Sequence, residues 1–381
     1  MKIAVLEKVK NLETPLYVYD TQKLRRNLDA LVSAFQPLGY HVHYAVKANT
    51  NKEIMGIIQS YGLGADCVSG NEVQRAIDCG FAAKDVVFAG VGKSDAEINK
   101  ALDLDIFCFN CESIAELEVI DGLAHKKNKK ARIALRLNPN VNAYTHSYIT
   151  TGLEENKFGI NIWELDKVLG VLKRAKNLEL KGLHFHIGSQ ITELTPFKNL
   201  CNRVNEIQEW FFNHQIILEH INVGGGLGID YHQPDLEIPD YQAYFQVFRS
   251  FLTLRPNQSL HFELGRSIVG NMGTLMSRVL YIKKGVKTNF AILDAGMTEL
   301  IRPALYQAYH KIENWSKWAE PNSEKYDVVG PICESSDSFG KAVDLPTTER
   351  GDIIAIRSAG AYAEVMASSY NLRKKADVLL V

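Results

Sequence analysis

The chain has 381 residues, 46% of them hydrophobic and 23% charged, and its formal net charge is -1. That length exceeds one ordinary compact core and suits a large α/β barrel with a second domain, while the near-neutral balance removes any electrostatic case for a nucleic-acid or membrane partner. Six cysteines make no disulfide framework, the opening MKIAVLEKVK lacks a signal-peptide core, and no window nears the roughly 20 apolar residues of a membrane span, so a cytoplasmic protein is expected.

Pro15–Tyr19 comes first along the chain and is expected to lend a strand to a second domain. From about residue 40 to 270, eight short apolar runs follow. They are His41–Val46, Gly64–Val68, Val86–Ala89, Asp105–Phe109, Ile133–Leu137, Gly182–Ile187, His220–Val223 and Leu260–Glu263. Between them lie stretches of helical period, including Asn71–Cys79, Ser113–Leu123, Trp163–Ala175, Phe197–Phe212 and Tyr241–Leu254, the last with Asp240 as its N-cap. Eight strands alternating with helices predict a parallel sheet closed into a (β/α)8 barrel. Beyond residue 270 the rhythm changes to β-rich runs, Thr274–Ile282, Ala291–Leu293, Tyr326–Val329 and Asp352–Ile356, with no train of helices. These predict an appended, mostly β domain.

A barrel of this kind carries its chemistry at the carboxyl ends of its strands. Those ends read Tyr44-Ala-Val-Lys47-Ala-Asn49, Asp66-Cys-Val-Ser-Gly-Asn-Glu72, Arg136-Leu-Asn-Pro, His184-Phe-His186-Ile-Gly-Ser189-Gln, Gly224-Gly225-Gly226-Leu-Gly228 and Glu263-Leu-Gly265-Arg266-Ser267. Almost every strand thus brings a titratable or glycine-rich group to one rim. Taken singly, Lys47 reads as a lysine snorkelling to water, His186 as a core histidine and Glu263 as a surface carboxylate. Together they suit a pyridoxal cofactor, which needs an acidic partner at its ring nitrogen, a flat group on its face and an anion site for its phosphate. Three glycines after strand seven and Gly265-Arg266 after strand eight lie where such barrels hold phosphate. Cys108 and Cys111 form a C-x-x-C, but with no second pair or histidine cluster at metal spacing they read as buried structural thiols, and no metal is expected.

The motifs YAVKAN, HSYITTGLEENKFGI, HFHIGSQI, GGGLGI, DAGMTELIRPALY, GPICESSD and AGAY, spread over nearly the whole chain, resemble the fold-type III pyridoxal-phosphate enzymes. Among these the chain is most similar to the diaminopimelate decarboxylases. The resemblance implies a cofactor-binding barrel over residues 22–268, with residues 1–21 and 269–381 forming the β domain. It implies a homodimer whose active sites are shared between subunits, and decarboxylation of meso-2,6-diaminopimelate to L-lysine, the last step of lysine biosynthesis.

By position, the resemblance makes Lys47 the residue bonded to pyridoxal 5'-phosphate, with His186 stacking on the ring and Glu263 at its nitrogen. Ser189, Gly224, Gly225, Gly226, Gly265, Arg266 and Tyr362 hold the phosphate or its surroundings, and Asp66, Glu72 and Arg136 line the cofactor site. Arg266, Arg302, Tyr306, Glu334 and Tyr362 match substrate-binding positions, and Cys333 matches a proton donor supplied by the partner subunit. Leu264 departs from the family pattern, which has proline there. A guanidinium suits the distal carboxylate of diaminopimelate, so Arg302 separates this activity from that of a same-fold decarboxylase of ornithine or arginine. A same-fold decarboxylase of carboxynorspermidine, and a non-catalytic relative that binds partners, also compete with it.

Overall fold

The structure, a computed structural model, describes residues 2–141, 157–235 and 238–381. Residues 146–156 of the HSYITTGLEENKFGI motif lie outside the described residues. Two compact units emerge: Leu28–Gly228 with Pro239–Gly265, and Met1–Asn27 with Ile229–Ile238 and Arg266–Val381. Among the described residues no helix is long and apolar enough to cross a membrane.

Strand β1, Leu16–Tyr19, belongs to the second unit. The first unit is the barrel. Its strands are β2 (His41–Ala45), β3 (Gly64–Cys67), β4 (Val86–Phe88), β5 (Cys108–Cys111), β6 (Ala131–Arg136), β7 (Leu178–His184), β8 (His220–Asn222) and β9 (Ser259–Leu264). They close in that order, every neighbouring pair parallel, with β2 pairing β9 through Tyr44 and Leu264. Leu264, in place of the usual proline, is buried as the last residue of β9.

Two strands differ most from their apolar runs. β5 starts at Cys108 rather than Asp105, because Asp105 turns left-handed (φ 53°) to end the helix Asp95–Leu104. β7 runs Leu178–His184 rather than Gly182–Ile187, since its first four residues are only half-buried and carry the charged Glu179 and Lys181. Several of the helices start on side-chain caps that the sequence supplies. Ser69 accepts from the backbone N–H of Glu72, Ser113 from that of Glu116, and Asp240 from that of Ala243.

Strand periodicity layers the barrel interior. His41 and His43, His220 and Asn222, and His261 and Glu263 are pairs two apart on one strand face. His43, His220 and His261 therefore form a layer toward the strand starts, with Asn222, Glu263 and His184 toward the strand ends. In the lower layer His43 Nδ1 lies 3.1 Å from the Asp85 carbonyl oxygen, so it must donate. His43 Nε2 then accepts from His261 Nδ1 at 2.8 Å, and His261 Nε2 accepts from Ser259 Oγ at 2.9 Å. This relay needs every ring neutral. Burial above all, with the mutual repulsion of the rings, pushes His220 down to about 3 and lowers His261, and burial lowers His43 too.

The second unit is a mixed sheet. It adds β10 (Gly273–Lys284), β11 (Asn289–Leu293), β12 (Ile312–Asn314), β13 (Glu324–Val329), β14 (Ser338–Leu345), β15 (Ile353–Arg357) and β16 (Asp377–Leu380), in the order β12-β15-β10-β11-β13-β14. β1 pairs antiparallel with β10, Leu16 opposite Met276, and parallel with β16. The N-terminal strand thus joins the C-terminal β domain. The helix Lys2–Val9 packs Val5, Leu6 and Val9 into a cluster with Leu16, Met276, Trp315 and Ile353.

Candidate active site

Lys47 lies one turn past β2, in the short 3-10 segment Val46–Ala48. Its Nζ donates to Asp66 Oδ2 at 2.9 Å, and the lysine side chain is 36% exposed while that of Asp66 is fully buried. The amine is therefore held at the strand end by a carboxylate from the next strand. Burial, with the nearby Glu263 charge, raises the Asp66 carboxyl above its ordinary value, and Lys47 only partly offsets this. Gly265 completes this corner: a Cβ there would sit 3.0 Å from the Cβ atoms of both Ala45 and Ala48.

Glu263 projects from β9 into a seat built by three other strands. Its Oε1 accepts from Asn110 Nδ2 on β5 at 3.1 Å and from Asn222 Nδ2 on β8 at 2.8 Å. Its Oε2 lies 2.9 Å from Nε2 of His184 at the end of β7. Burial alone would raise this carboxyl, but the His184 charge and hydrogen bond, helped by Lys47 and His186, hold it well below the carboxylate range. The Asn222 side chain also accepts from Gly224 N at 2.9 Å, which ties the carboxylate seat to the glycine run.

That run needs its glycines for two separate reasons. Gly224 has φ +68°, and a Cβ on Gly225 would lie 1.8 Å from the Glu263 carbonyl oxygen. Gly225 N donates to His186 Nδ1 at 3.3 Å. Burial, then the charges of Arg136 and Lys47, lower His186 well below its usual value, so its ring is neutral. Ser189 is two residues before Ile191, whose N–H donates to Gly226 O at 2.9 Å; the loops after β7 and β8 are thereby stitched together. Glu72 and Arg136, whose charges reach Lys47 and His186 respectively, each have a protein partner. Glu72 Oε2 accepts from Val68 N at 2.8 Å, and Arg136 Nη1 donates to Glu112 Oε1 at 2.9 Å with its guanidinium over Phe158.

In the second unit, Arg266 and Arg302 are buried and both donate through Nη1 to the Tyr231 hydroxyl, at 2.7 and 2.9 Å. The Arg266 guanidinium lies over the ring of Tyr362, which has φ +56°. Tyr306 ends the short helix Arg302–Tyr306. Cys333 and Glu334 are exposed on the loop between β13 and β14. Asn371 Oδ1 accepts from Cys333 N at 3.2 Å, and Tyr370 donates to Glu334 at 2.8 Å. Asp337 ties the loop down by accepting from Ile332 N at 2.7 Å and Met297 N at 2.6 Å. Cys108 and Cys111 are buried within β5, each thiol directed at the Phe109 carbonyl.

The strand ends and motifs assign no role to Asn110, Asn222, Glu112, Tyr231 or His310, and Asp337 enters only as the last residue of GPICESSD. Strand period could have found Asn222 and Asn110, since both share an inward face with other polar residues; nothing in the sequence pairs Tyr231 with residues 35 and 71 positions away.

The barrel groups fit pyridoxal 5'-phosphate on structural grounds. There is a rim amine, a buried carboxylate held ionised with lone pairs to spare, and a backbone run that a Cβ would obstruct. Three buried polar atoms without a partner among the described residues, Asp66 Oδ1, Asn110 Oδ1 and His184 Nδ1, mark this as a place built for a polar group. The family profile "Pyridoxal-dependent decarboxylase, pyridoxal binding domain" matches residues 21–270. The diaminopimelate decarboxylase of Bacteroides thetaiotaomicron is 57% identical over 371 residues, 97% of this chain and 96% of that protein. That of Neisseria meningitidis is 43% identical over 97% of this chain and 89% of its own length. The crystal structure of diaminopimelate decarboxylase from Helicobacter pylori complexed with L-lysine superposes with a TM-score of 0.92 at 40% identity, covering 99% of this chain and 94% of that one.

Proposed function

This chain belongs to the pyridoxal-dependent decarboxylase family, and we propose that it converts meso-2,6-diaminopimelate to L-lysine and CO2. The observation that carries the substrate is the identity of 57% with the diaminopimelate decarboxylase of Bacteroides thetaiotaomicron along almost the full length of both chains. The Nε–Nη2 edge of Arg302, which donates to no protein atom among the described residues, supports the same choice. A diamine-forming decarboxylase gains nothing from an arginine aimed at the substrate tail.

When bound, pyridoxal 5'-phosphate supplies an electron-withdrawing ring that accepts the electron pair released as the carboxyl group departs. Lys47 is the covalent attachment point, and Asp66 Oδ2, 2.9 Å from Nζ, takes and returns the proton that this amine exchanges. Glu263, held ionised by His184, Asn110 and Asn222, keeps a proton on the ring nitrogen. His186 supplies a flat neutral face. Ser189, Gly226 and Gly265 present hydroxyl and backbone donors to the phosphate, Gly224 and Gly225, whose N–H groups go to Asn222 and His186, keep the run open for its close approach, and Arg266 and Tyr362 belong to its surroundings. Arg302 grips the carboxylate that the product keeps, with Arg266, Tyr306 and Tyr362 around it, and Glu334 takes the distal ammonium. The Cys333 thiol delivers the proton that replaces CO2, so carboxylate plus proton gives C–H and CO2. Its exposure suits delivery to the neighbouring subunit of a homodimer in the cytoplasm.

Product analysis tests this. Purified protein supplied with pyridoxal 5'-phosphate and meso-diaminopimelate is expected to release L-lysine and CO2 in equal amounts. Turnover of ornithine, arginine or carboxynorspermidine in preference to diaminopimelate would assign it to a sister activity, and no CO2 from any of them would make it a binding relative.

A further inference from the structure

Arg302 is immobilised by two residues outside the motifs that marked it. One hydrogen of Nη1 goes to the Tyr231 hydroxyl at 2.9 Å, and Nη1 lies 2.8 Å from His310 Nε2. His310 Nδ1 lies 2.8 Å from the Arg357 carbonyl oxygen, which can only accept. Nδ1 therefore bears the ring proton and Nε2 offers its lone pair to Arg302. Burial and the Arg302 charge push His310 down to about 3, consistent with that neutral tautomer. Both Nη1 hydrogens are then committed.

The Nε–Nη2 edge of Arg302 is the edge that binds a carboxylate as a two-pronged fork, and among the described residues it donates to no protein atom. No carboxylate of the described residues pairs with this buried guanidinium. Arg357 shows the contrast, since it is closed off by Glu313 at 2.7 Å and Asp235 at 2.5 Å. Tyr231 also accepts from Arg266, and its ring meets that of His310 edge-on at 5.1 Å and 76°. One hydroxyl oxygen thus sets the spacing of two arginines. Burial would raise that hydroxyl, but the two guanidiniums outweigh it and lower its proton affinity.

We propose that Tyr231 and His310 are positioning residues for substrate specificity, holding Arg302 so that its Nε–Nη2 edge meets the carboxylate retained on L-lysine. This rests on the reading that Arg302 binds that carboxylate. The two functions come apart in a pair of ligands. L-lysine carries the carboxylate, and pentane-1,5-diamine is the same skeleton without it.

The experiment measures inhibition constants of both compounds against the holoenzyme, for the parent and for Tyr231→Phe, His310→Gln, His310→Leu and Arg302→Ala. Tyr231→Phe and His310→Leu are expected to weaken L-lysine by about ten- to hundredfold, the worth of one hydrogen bond to a charged group, and to leave the diamine within about twofold. His310→Gln, whose amide oxygen still accepts, is expected to restore most of the loss. The KM for diaminopimelate should rise with the L-lysine constant while the absorbance of the bound cofactor is unchanged. If Arg302→Ala loses L-lysine but Tyr231→Phe and His310→Leu do not, the positioning role is wrong and the Arg302 reading survives. If Arg302→Ala leaves L-lysine unchanged, that reading falls and takes the proposal with it. Equal loss of both ligands in the Tyr231 and His310 variants overturns the proposal in favour of a general structural role. Should Tyr231→Phe fail to fold, the two His310 variants decide by the same criteria.

Discussion

Oε2 of Glu263 lies 2.9 Å from Nε2 of His184, a contact across the barrel interior between β9 and β7, with β8 between them, that no short motif records. Burial acts to protonate Glu263, and His184 is the largest of the influences that oppose it. His184→Phe is therefore expected to raise the Glu263 carboxyl and move the acidic limb of the kcat/KM profile to higher pH. Glu263→Gln should lower kcat by roughly 10²–10³-fold, the loss typical of removing one preorganised electrostatic partner. In the folded protein Glu263 titrates below its free value, so its contribution to stability is present above about pH 4.3 and fades as pH falls from there. An acidic limb that does not move in His184→Phe would remove His184 from this role.

Asn222 serves two groups with one side chain, donating to Glu263 and accepting from Gly224 N. Asn222→Ala leaves the buried Gly224 N–H without its acceptor, at a cost of about 1–3 kcal/mol, and leaves Glu263 with Asn110 and His184 but one donor fewer. Cofactor affinity and the urea midpoint should fall together. Equilibrium titration with pyridoxal 5'-phosphate and denaturation of the same variant measure the two effects.

The histidine layer beneath predicts acid sensitivity. His43, His220 and His261 are buried neutral, with folded pKa values below the free value of about 6.5. Below that pH the unfolded chain binds more protons than the folded one. Stability is then complete at neutral pH and falls as pH drops through about 6.5, by up to about 1.4 kcal/mol per pH unit for each histidine. Urea denaturation at pH 7.5 and 5.5 measures this, and a His220→Asn variant should show a shallower decline.

Much of the barrel was legible because its signal is local. Strand runs and a helix cap such as Asp240 act over a few residues, and a periodicity of two lines up His261 with Glu263. The β domain was harder. β14, Ser338–Leu345, is half-exposed and carries lysine and aspartate, so it has no apolar run to see, and β16 exists as a strand through its pairing with β1, some 360 residues earlier. The site divides in the same way. Lys47, Asp66 and Glu263 fall at strand ends, where a barrel puts its chemistry. Asn110, Tyr231 and Asp337 matter only through partners brought together by folding.

Asp337 illustrates the last group. Its two oxygens accept from Ile332 N and Met297 N and fix the loop carrying Cys333. Asp337→Ala should lower kcat about tenfold or more, the effect of misplacing a proton donor, while cofactor binding stays intact. Cys333→Ala should give a similar or larger loss. Stopped-flow spectra of the two variants with diaminopimelate measure this, and a normal kcat in both would remove the loop from the chemistry.

The chemistry proposed for the barrel rim requires Lys47 to bear the cofactor. Borohydride reduction of the protein loaded with pyridoxal 5'-phosphate, followed by digestion and mass spectrometry, reads that bond. A single pyridoxyl adduct on the peptide containing Lys47, absent from Lys47→Ala, is the predicted result. An adduct on any other lysine, or none on a protein that still releases CO2 from diaminopimelate, would contradict it.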